Sequence, residues 1–303
     1  MPTRGFCTIA TGNEKYYEMA AQLLRSYRKH TKDDIPFAII CDRENKNVLG
    51  FDKVVLMEQA NCSYMDKLQL YRYVPYDETI FIDADSLILS NLSGIWNDFS
   101  DADDVSCYGC IYPLDSDRAW FTYDGCGKYK KDIQFLIDLH GGIYFLRKGE
   151  RCKAIFEKAI ELAGQYSEYS FRNFSKPADE PVLAMSLAIY HSKPCNKPAR
   201  VLFVPSYWGQ LRVTLSGDLL VCGEKRKVEI IHFATQNTDR FLYRYMADIS
   251  NSMFTGETQL YTYMRLKLLT APKELVANVQ HGVGALMRKL FPASIITWLK
   301  EKL

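Results

Sequence analysis

Short apolar runs that end in polar residues recur through the first third of the chain. Phe6–Thr11 reads as a strand and Gly12-Asn13 as a turn. Tyr17, Ala20, Ala21, Leu23, Leu24 and Tyr27 then fall near helical spacing. Ile35–Cys41 and Val54–Leu56 read as further strands, residues 63–75 as a helix carrying Lys67, and Ile80–Ile82 as a fourth, buried strand. This alternation predicts an α/β fold: a mixed, mostly parallel sheet flanked by helices. Ligands of such sheets bind beyond the carboxyl ends of the strands, where Thr11, Asp42 and Asp83 fall. Val105–Tyr112 and His140–Leu146 are the next predicted strands, joined by a polar and aromatic connection over 113–139. Helices are predicted over 150–167 and 179–190, then short strands near 200–204, 218–222 and 227–232. Residues 1–245 are expected to form one domain and 246–303 a basic helical tail.

Composition narrows the classes. A chain of 303 residues that is 48% apolar and 24% charged has the make-up of a soluble globular protein. A formal charge of +2 speaks against a dedicated nucleic-acid binder. No run reaches the roughly 20 apolar residues needed to span a bilayer, and Met1–Gly5 enters a strand without a secretory signal. Nine cysteines, an odd number, read as reduced thiols in a cytosol. Cys107 and Cys110 form a C-x-x-C pair without the second pair that a zinc ribbon needs. The tail is basic: residues 261–303 hold seven Lys or Arg against two acids. Its last segment, 287–303, reads either as a helix packed on the domain or as an interfacial helix on an anionic membrane.

The chemistry concentrates at Asp83-Ala84-Asp85, directly after Ile80–Ile82. An uncompensated buried carboxylate is costly, so two of them at a strand end call for a partner. Mn²⁺ or Mg²⁺ takes such oxygen ligands and shares them with phosphate oxygens. The plainer reading is that both acids solvate a turn. His232 ends the apolar run Ile230-Ile231 and is a candidate third ligand, with His140 its competitor. Lys67 is placed to neutralise an acid or a phosphate. Gly141 and Gly142 permit close backbone approach to a ligand, or mark a bulge. A phosphohydrolase using Asp83 as nucleophile would also carry an Asp-x-Asp, though on its first strand. A non-catalytic nucleotide-sugar binding module on the same fold is a further alternative. A nucleotidylyltransferase would need a Gly-rich loop, which Thr11–Lys15 does not supply.

Over roughly residues 5–240 these motifs together resemble the GT-A fold nucleotide-sugar glycosyltransferases, most closely glycosyltransferase family 8, which includes glycogenin and lipopolysaccharide galactosyltransferases. Phe81–Asp85 is similar to that family's metal motif, and Thr8–Thr11 with Tyr17 and Ser26 to its first strand and helix. Gly141–Leu146 is similar to its Asn-small-Gly segment, with His140 where the Asn stands. Asp179-Glu180 resembles its acidic pair, and His232-Phe233 its last metal ligand. The resemblance implies a metal-dependent hexosyl transfer from a nucleotide-diphosphate sugar, with UDP-sugars favoured, to an acceptor hydroxyl, with retention. It implies nucleotide contacts at Ala10, Thr11, Tyr17, Lys67, Asp83 and Ala84, and metal ligands at Asp83, Asp85 and His232. It places the donor sugar at His140, Gly141 and Gly142, and catalysis at Asp179 and Glu180. The acceptor would be a glycan, a lipid-linked sugar or a protein, met in the cytoplasm or on the inner face of a membrane. One departure is plain: the family's Lys-Pro-Trp after the histidine is replaced by Ala234–Arg240, which leaves Arg240 or Lys67 to grip the diphosphate.

Overall fold

The computed structural model describes residues 3–172, 176–207, 209–225, 228–251 and 256–290. In chain order its principal elements begin with β1 (Arg4–Ala10), α1 (Glu14–His30), β2 (Phe37–Cys41) and β3 (Lys53–Leu56). A 3₁₀ segment, Tyr64–Gln69, runs into α2 (Leu70–Tyr73), followed by β4 (Glu78–Ile82), β5 (Ser86–Ile88) and α3 (Ile95–Asp98). Then come β6 (Val105–Tyr112), β7 (Leu136–Arg147), α4 (Glu150–Gly164), α5 (Asp179–Ile189) and β8 (Val201–Phe203). The chain continues through β9 (Leu211–Val213), β10 (Leu219–Val221), β11 (Glu224–Lys225) and β12 (Ile230–His232), and finishes with α6 (Phe241–Asn251) and α7 (Gly256–Leu290).

Packing divides the chain into two compact units, residues 1–206 with 227–232, and residues 207–226 with 233–303. The boundary expected at residue 245 falls inside α6. The side chains of 287–303, expected as a packed or an interfacial helix, lie outside the described residues. The first unit is built on a six-stranded sheet in the order β3-β2-β1-β4-β7-β6. β1 to β4 run parallel, and β7 runs antiparallel to both β4 and β6. The mixed, mostly parallel α/β sheet read from the sequence is therefore the observed one. β2 and β4 are buried along their whole length, which is why they read as unbroken apolar runs. Phe81 and Tyr144 stack across the β4–β7 pair with centroids 5.6 Å apart. Gly5 allows β1 to pass the Tyr76 ring, whose carbons lie 2.2 Å from where a Cβ would sit.

A second, three-stranded sheet in the order β5-β12-β8 positions the site. Its centre, β12, lies far beyond β5 in the chain yet pairs His232 with Ser86 and Ile231 with Leu87. Ser26 of α1 pins this sheet: its hydroxyl accepts the Ile88 N–H at 2.9 Å and donates to Leu23 O at 2.7 Å. In the second unit, β9, β10 and β11 form an antiparallel sheet, and α6 packs on α7.

Three elements differ from the sequence reading. Residues 63–75 are not one helix; a Ser63–Asp66 capping box starts a 3₁₀ segment, and only Leu70–Tyr73 is α-helical. The connection over 113–139 is shorter than expected and holds a 3₁₀ stretch, Asp124–Asp132. β7 starts at Leu136 because Leu136–Leu139 continue the ladder with Gly109–Tyr112. α4 stops at Gly164, three residues early, where a glycine costs helix stability.

Glu78 opens β4 and ties two neighbours to it, accepting from Arg4 Nε at 2.6 Å and Arg147 Nε at 3.0 Å. Burial would raise its carboxyl, but those hydrogen bonds outweigh burial and hold it below the usual carboxylate range. Its stabilising effect is therefore present above the usual carboxylate pKa and is lost as pH falls through the lowered one. Glu78→Gln is expected to cost about 1–2 kcal/mol at neutral pH, the value discounted because both arginines are partly exposed. Urea unfolding should show the deficit shrinking in acid; an equal deficit at all pH values would contradict this account.

Candidate functional site

The candidate site forms where β4 leaves the sheet. Asp83 continues the ladder by one residue, its N–H donating to Gly142 O at 2.9 Å. Ser86 N–H then donates to Asp83 O at 3.1 Å, which closes a tight turn and starts β5. Asp83-Ala84-Asp85 is this turn. Pairing of β12 with β5 brings His232 opposite Ser86 and so against Asp85. His232 Nε2 lies 3.0 Å from Asp85 Oδ1 and 3.7 Å from Asp83 Oδ2. One ligand atom from each of Asp83, Asp85 and His232 falls within 4.8 Å of the others. The three residues read as ligands from the sequence are thus brought together.

Lys67 lies alongside. Its ammonium is 2.7 Å from Asp179 Oδ2 and 3.2 Å from Asp83 Oδ2, and it donates to Gly141 O at 3.4 Å. Asp179 is the first residue of α5, where a helix N-terminus favours negative charge, and Tyr144 OH donates to its Oδ2 at 3.1 Å. Glu180 Oε1 accepts the Gly141 N–H at 2.8 Å. Both glycines are demanded by this packing. A Cβ on Gly141 would lie 2.3 Å from Glu180 Oε1, and one on Gly142 2.6 Å from His232 Nδ1 and 2.8 Å from His140 Cε1. His140 accepts the Gly142 N–H on Nδ1 at 3.0 Å, and its Nε2 is 3.5 Å from His232 Nδ1.

The electrostatics follow from crowding. Four carboxylates, Asp83, Asp85, Asp179 and Glu180, share the site with one lysine. Burial raises Asp83, Asp85 and Asp179 add to it, and Lys67 with His232 works against it. Glu180 is pushed up to about 7, first by burial and then by Asp179. Burial would lower His232, but Asp85 and Asp83 outweigh it and raise its pKa. His140, half-buried beside His232, is lowered to about 3, first by burial and then by His232, against which Asp85 works only weakly. Burial would lower Lys67 too, yet Asp179 and Asp83 hold it firmly protonated. This donor set fits a hard divalent cation: two carboxylates and an imidazole converge, and the surrounding negative charge exceeds what Lys67 neutralises.

The nucleotide contacts expected from the sequence lie at the carboxyl ends of β1 and β2. Ala10 and Thr11 are buried, and Thr11 Oγ1 donates to Asp66 Oδ2 at 2.8 Å. Tyr17 is fully buried rather than presenting a ring face. Its hydroxyl donates to Asp42 Oδ1 at 2.5 Å, and Arg43 lies 4.7 Å over its ring. Asp42 Oδ1 also accepts the Gly12 N–H at 3.0 Å, so Asp42 is the polar group held at this edge. Ala84 is buried within the turn. Arg240, one of two candidates for a diphosphate grip, is held by Glu274 in the second unit.

Asp66 and Tyr144 join the site beyond the residues that the sequence points to. Ser63-x-x-Asp66 is a capping-box pattern that would have pointed to Asp66. Tyr144 lies two residues beyond Gly142 on the same strand, the spacing of one sheet face.

No protein-family model and no curated protein matches this sequence. Among solved structures the chain has the fold of GT-A glycosyltransferases resembling family 8. It is similar to the galactosyltransferase LgtC in its crystal structure with donor and acceptor sugar analogs, at a TM-score of 0.52 and 14% identity over 83% of this chain and 96% of that one. It is also similar to the bifunctional glycosyltransferase WbbM in its apo structure, at a TM-score of 0.51 and 12% identity, covering 87% of this chain and 52% of WbbM. At these identities the likeness is one of fold.

Removing the lysine isolates buried acids. Lys67→Met should cost about 3–5 kcal/mol at neutral pH, as breaking a buried pair does. Asp83 is already raised by burial, so lower pH protonates it and should return part of that stability. Urea unfolding across pH checks both signs; a variant as stable as the parent at neutral pH would contradict the pairing.

Proposed function

We propose that this chain is a metal-dependent glycosyltransferase that moves a hexose from a nucleotide-diphosphate sugar, a UDP-sugar by preference, to an acceptor hydroxyl. The observation that carries the reading is the convergence of Asp83, Asp85 and His232 at the carboxyl end of the sheet, beside the Asp179–Glu180 pair. Asp83, Asp85 and His232 would hold Mn²⁺ or Mg²⁺. That ion, when bound, supplies a Lewis acid that neutralises the departing nucleoside diphosphate. Lys67 pairs with Asp179 and Asp83 and supplies positive charge next to the phosphates. Ala10, Thr11 and Ala84 offer backbone to the nucleotide, and Tyr17 contributes by fixing Asp42.

Asp179 and Glu180 take different parts. Asp179 is clamped between Lys67 and Tyr144, so it orients the pocket. Glu180 has Oε1 on Gly141 N–H and would offer Oε2 to a sugar hydroxyl, with His140, Gly141 and Gly142 forming the adjoining wall. A carboxylate so placed also stabilises positive charge developing at the anomeric carbon. Retention of configuration, an acceptor on a glycan, lipid-linked sugar or protein, and action in the cytoplasm are part of this proposal. Residues 1–245 would carry the transfer, with 246–303 as an accessory tail. Among the described residues no helix is long and apolar enough to cross a membrane.

Turnover of a panel of nucleotide sugars, with and without Mn²⁺, tests the reading. Donor hydrolysis or transfer should require the ion, and Asp85→Asn should lower kcat/KM at least about a hundredfold, or ~2.7 kcal/mol. Turnover of simple phosphate esters in place of nucleotide sugars would instead make Asp83 a phosphohydrolase nucleophile and sink the proposal.

The Glu180 role predicts a pH profile. Its carboxylate accepts a hydroxyl hydrogen bond more strongly than the neutral acid, and it alone carries the charge that stabilises the anomeric centre, so kcat/KM should rise as pH passes through about 7. Glu180→Gln should lack that rising limb; a limb of unchanged position in the variant would assign it to another group.

A further inference from the structure

His140 and His232 share one proton between their facing nitrogens, and the fold decides which ring carries it. His140 Nδ1 accepts the Gly142 N–H at 3.0 Å. A neutral imidazole has one N–H and one acceptor nitrogen, so the His140 proton sits on Nε2. That Nε2 lies 3.5 Å from His232 Nδ1, which must then be the acceptor of the pair. The proton of His232 is left on its own Nε2. This is the nitrogen that faces Asp85 Oδ1 at 3.0 Å and Asp83 Oδ2 at 3.7 Å.

Neighbours hold both rings where they are. Phe203 pairs with His232 across β8 and β12. Its ring is edge-on to His140 at 5.7 Å and tilted against His232 at 5.2 Å. On the other side both rings rest on Gly142, which has no room for a Cβ between them.

The arrangement is the reverse of what a metal ligand needs. A cation can take His232 Nε2 only when that atom has lost its proton, which leaves the proton on Nδ1. Ligating histidines donate this second N–H to a carboxylate, a carbonyl or water. Here it would meet the Nε2–H of His140. The two acids favour a charged His232, but an imidazolium also carries a proton on Nδ1 and meets the same donor. To give way, His140 must shift its proton from Nε2 to Nδ1 or turn its ring. Either change takes the acceptor away from the Gly142 N–H.

We propose that His140 is a positioning residue that holds His232 in the tautomer opposed to ligation, so that loading the cation breaks the His140–Gly142 hydrogen bond. This role rests on the metal centre proposed above, though His140 is not one of its three ligands. Asp83, Asp85 and His232 then bind their ion more weakly than they would without His140.

Mn²⁺ binding to the full chain, followed by the electron paramagnetic resonance of the free ion, tests this without turnover. His140→Ala removes the opposing donor and should tighten binding at least about tenfold, the low end of what groups behind a metal ligand contribute. If His140 only packed the rings, the same variant would loosen the site, so unchanged or weaker binding would overturn the proposal. Nitrogen-15 NMR of the metal-free parent reads the tautomer directly. His140 should carry its proton on Nε2; a proton on its Nδ1 would overturn the proposal as well. Asp85→Asn separates this role from the reading it rests on. Loss of Mn²⁺ binding in that variant, with no gain in His140→Ala, would sink the role of His140 alone. Binding kept in Asp85→Asn would sink the metal centre itself and His140's role with it.

Discussion

Four carboxylates at one end of the sheet, with a single lysine among them, constrain the rest of the first unit. Burying charge is unfavourable unless it is paired, and Lys67 pairs with only two of the four. The surrounding structure supplies what the lysine does not. The α5 N-terminus receives Asp179, the Gly141 N–H receives Glu180, and His232 is brought across by β12 to Asp85. Two consecutive glycines follow from the same crowding, since a side chain at either position would collide with Glu180 or His232. A site that gathers this much negative charge is suited to a divalent cation and the phosphates it carries.

Much of this was legible in the sequence, for physical reasons that differ by element. β2 and β4 are buried on both faces, so their apolar runs stand out from the polar residues that end them. Asp83 and Asp85 were visible because acids rarely follow such a run without cause. β5 was not visible: Ser86–Ile88 is three residues long and merges with Asp85 before it and Leu89 after it. That strand explains how His232 reaches the site; in the sequence the histidine is marked only by the apolar run it ends and by the family resemblance. The 63–75 segment misled because its helical spacing is overridden by the Ser63 cap and by the bond from Thr11 to Asp66. The first residues of β7 were read as loop because the pairing that makes them a strand is with residues 109–112, outside any local window.

Tyr17 and Asp179 show how the fold commits side chains that sequence spacing leaves open. Tyr17 was read as a nucleotide contact, yet its ring is in the core and its hydroxyl is committed to Asp42. Asp179 was read as half of a catalytic pair, yet Lys67 and Tyr144 hold it. Glu180, the more loosely held of the two, is the one whose carboxyl is shifted to about 7. Sequence spacing brought both acids to the site; the difference between them comes from which neighbours the fold supplies.

The central claim is that Asp83, Asp85 and His232 form one metal centre. A crystal grown with Mn²⁺ and a nucleoside diphosphate, measured at the manganese absorption edge, tests it most directly. The account predicts an anomalous peak between the two carboxylates and His232 Nε2, within ligand distance of all three. A peak elsewhere in the chain, or a bound nucleoside diphosphate with no peak at these residues, would contradict it.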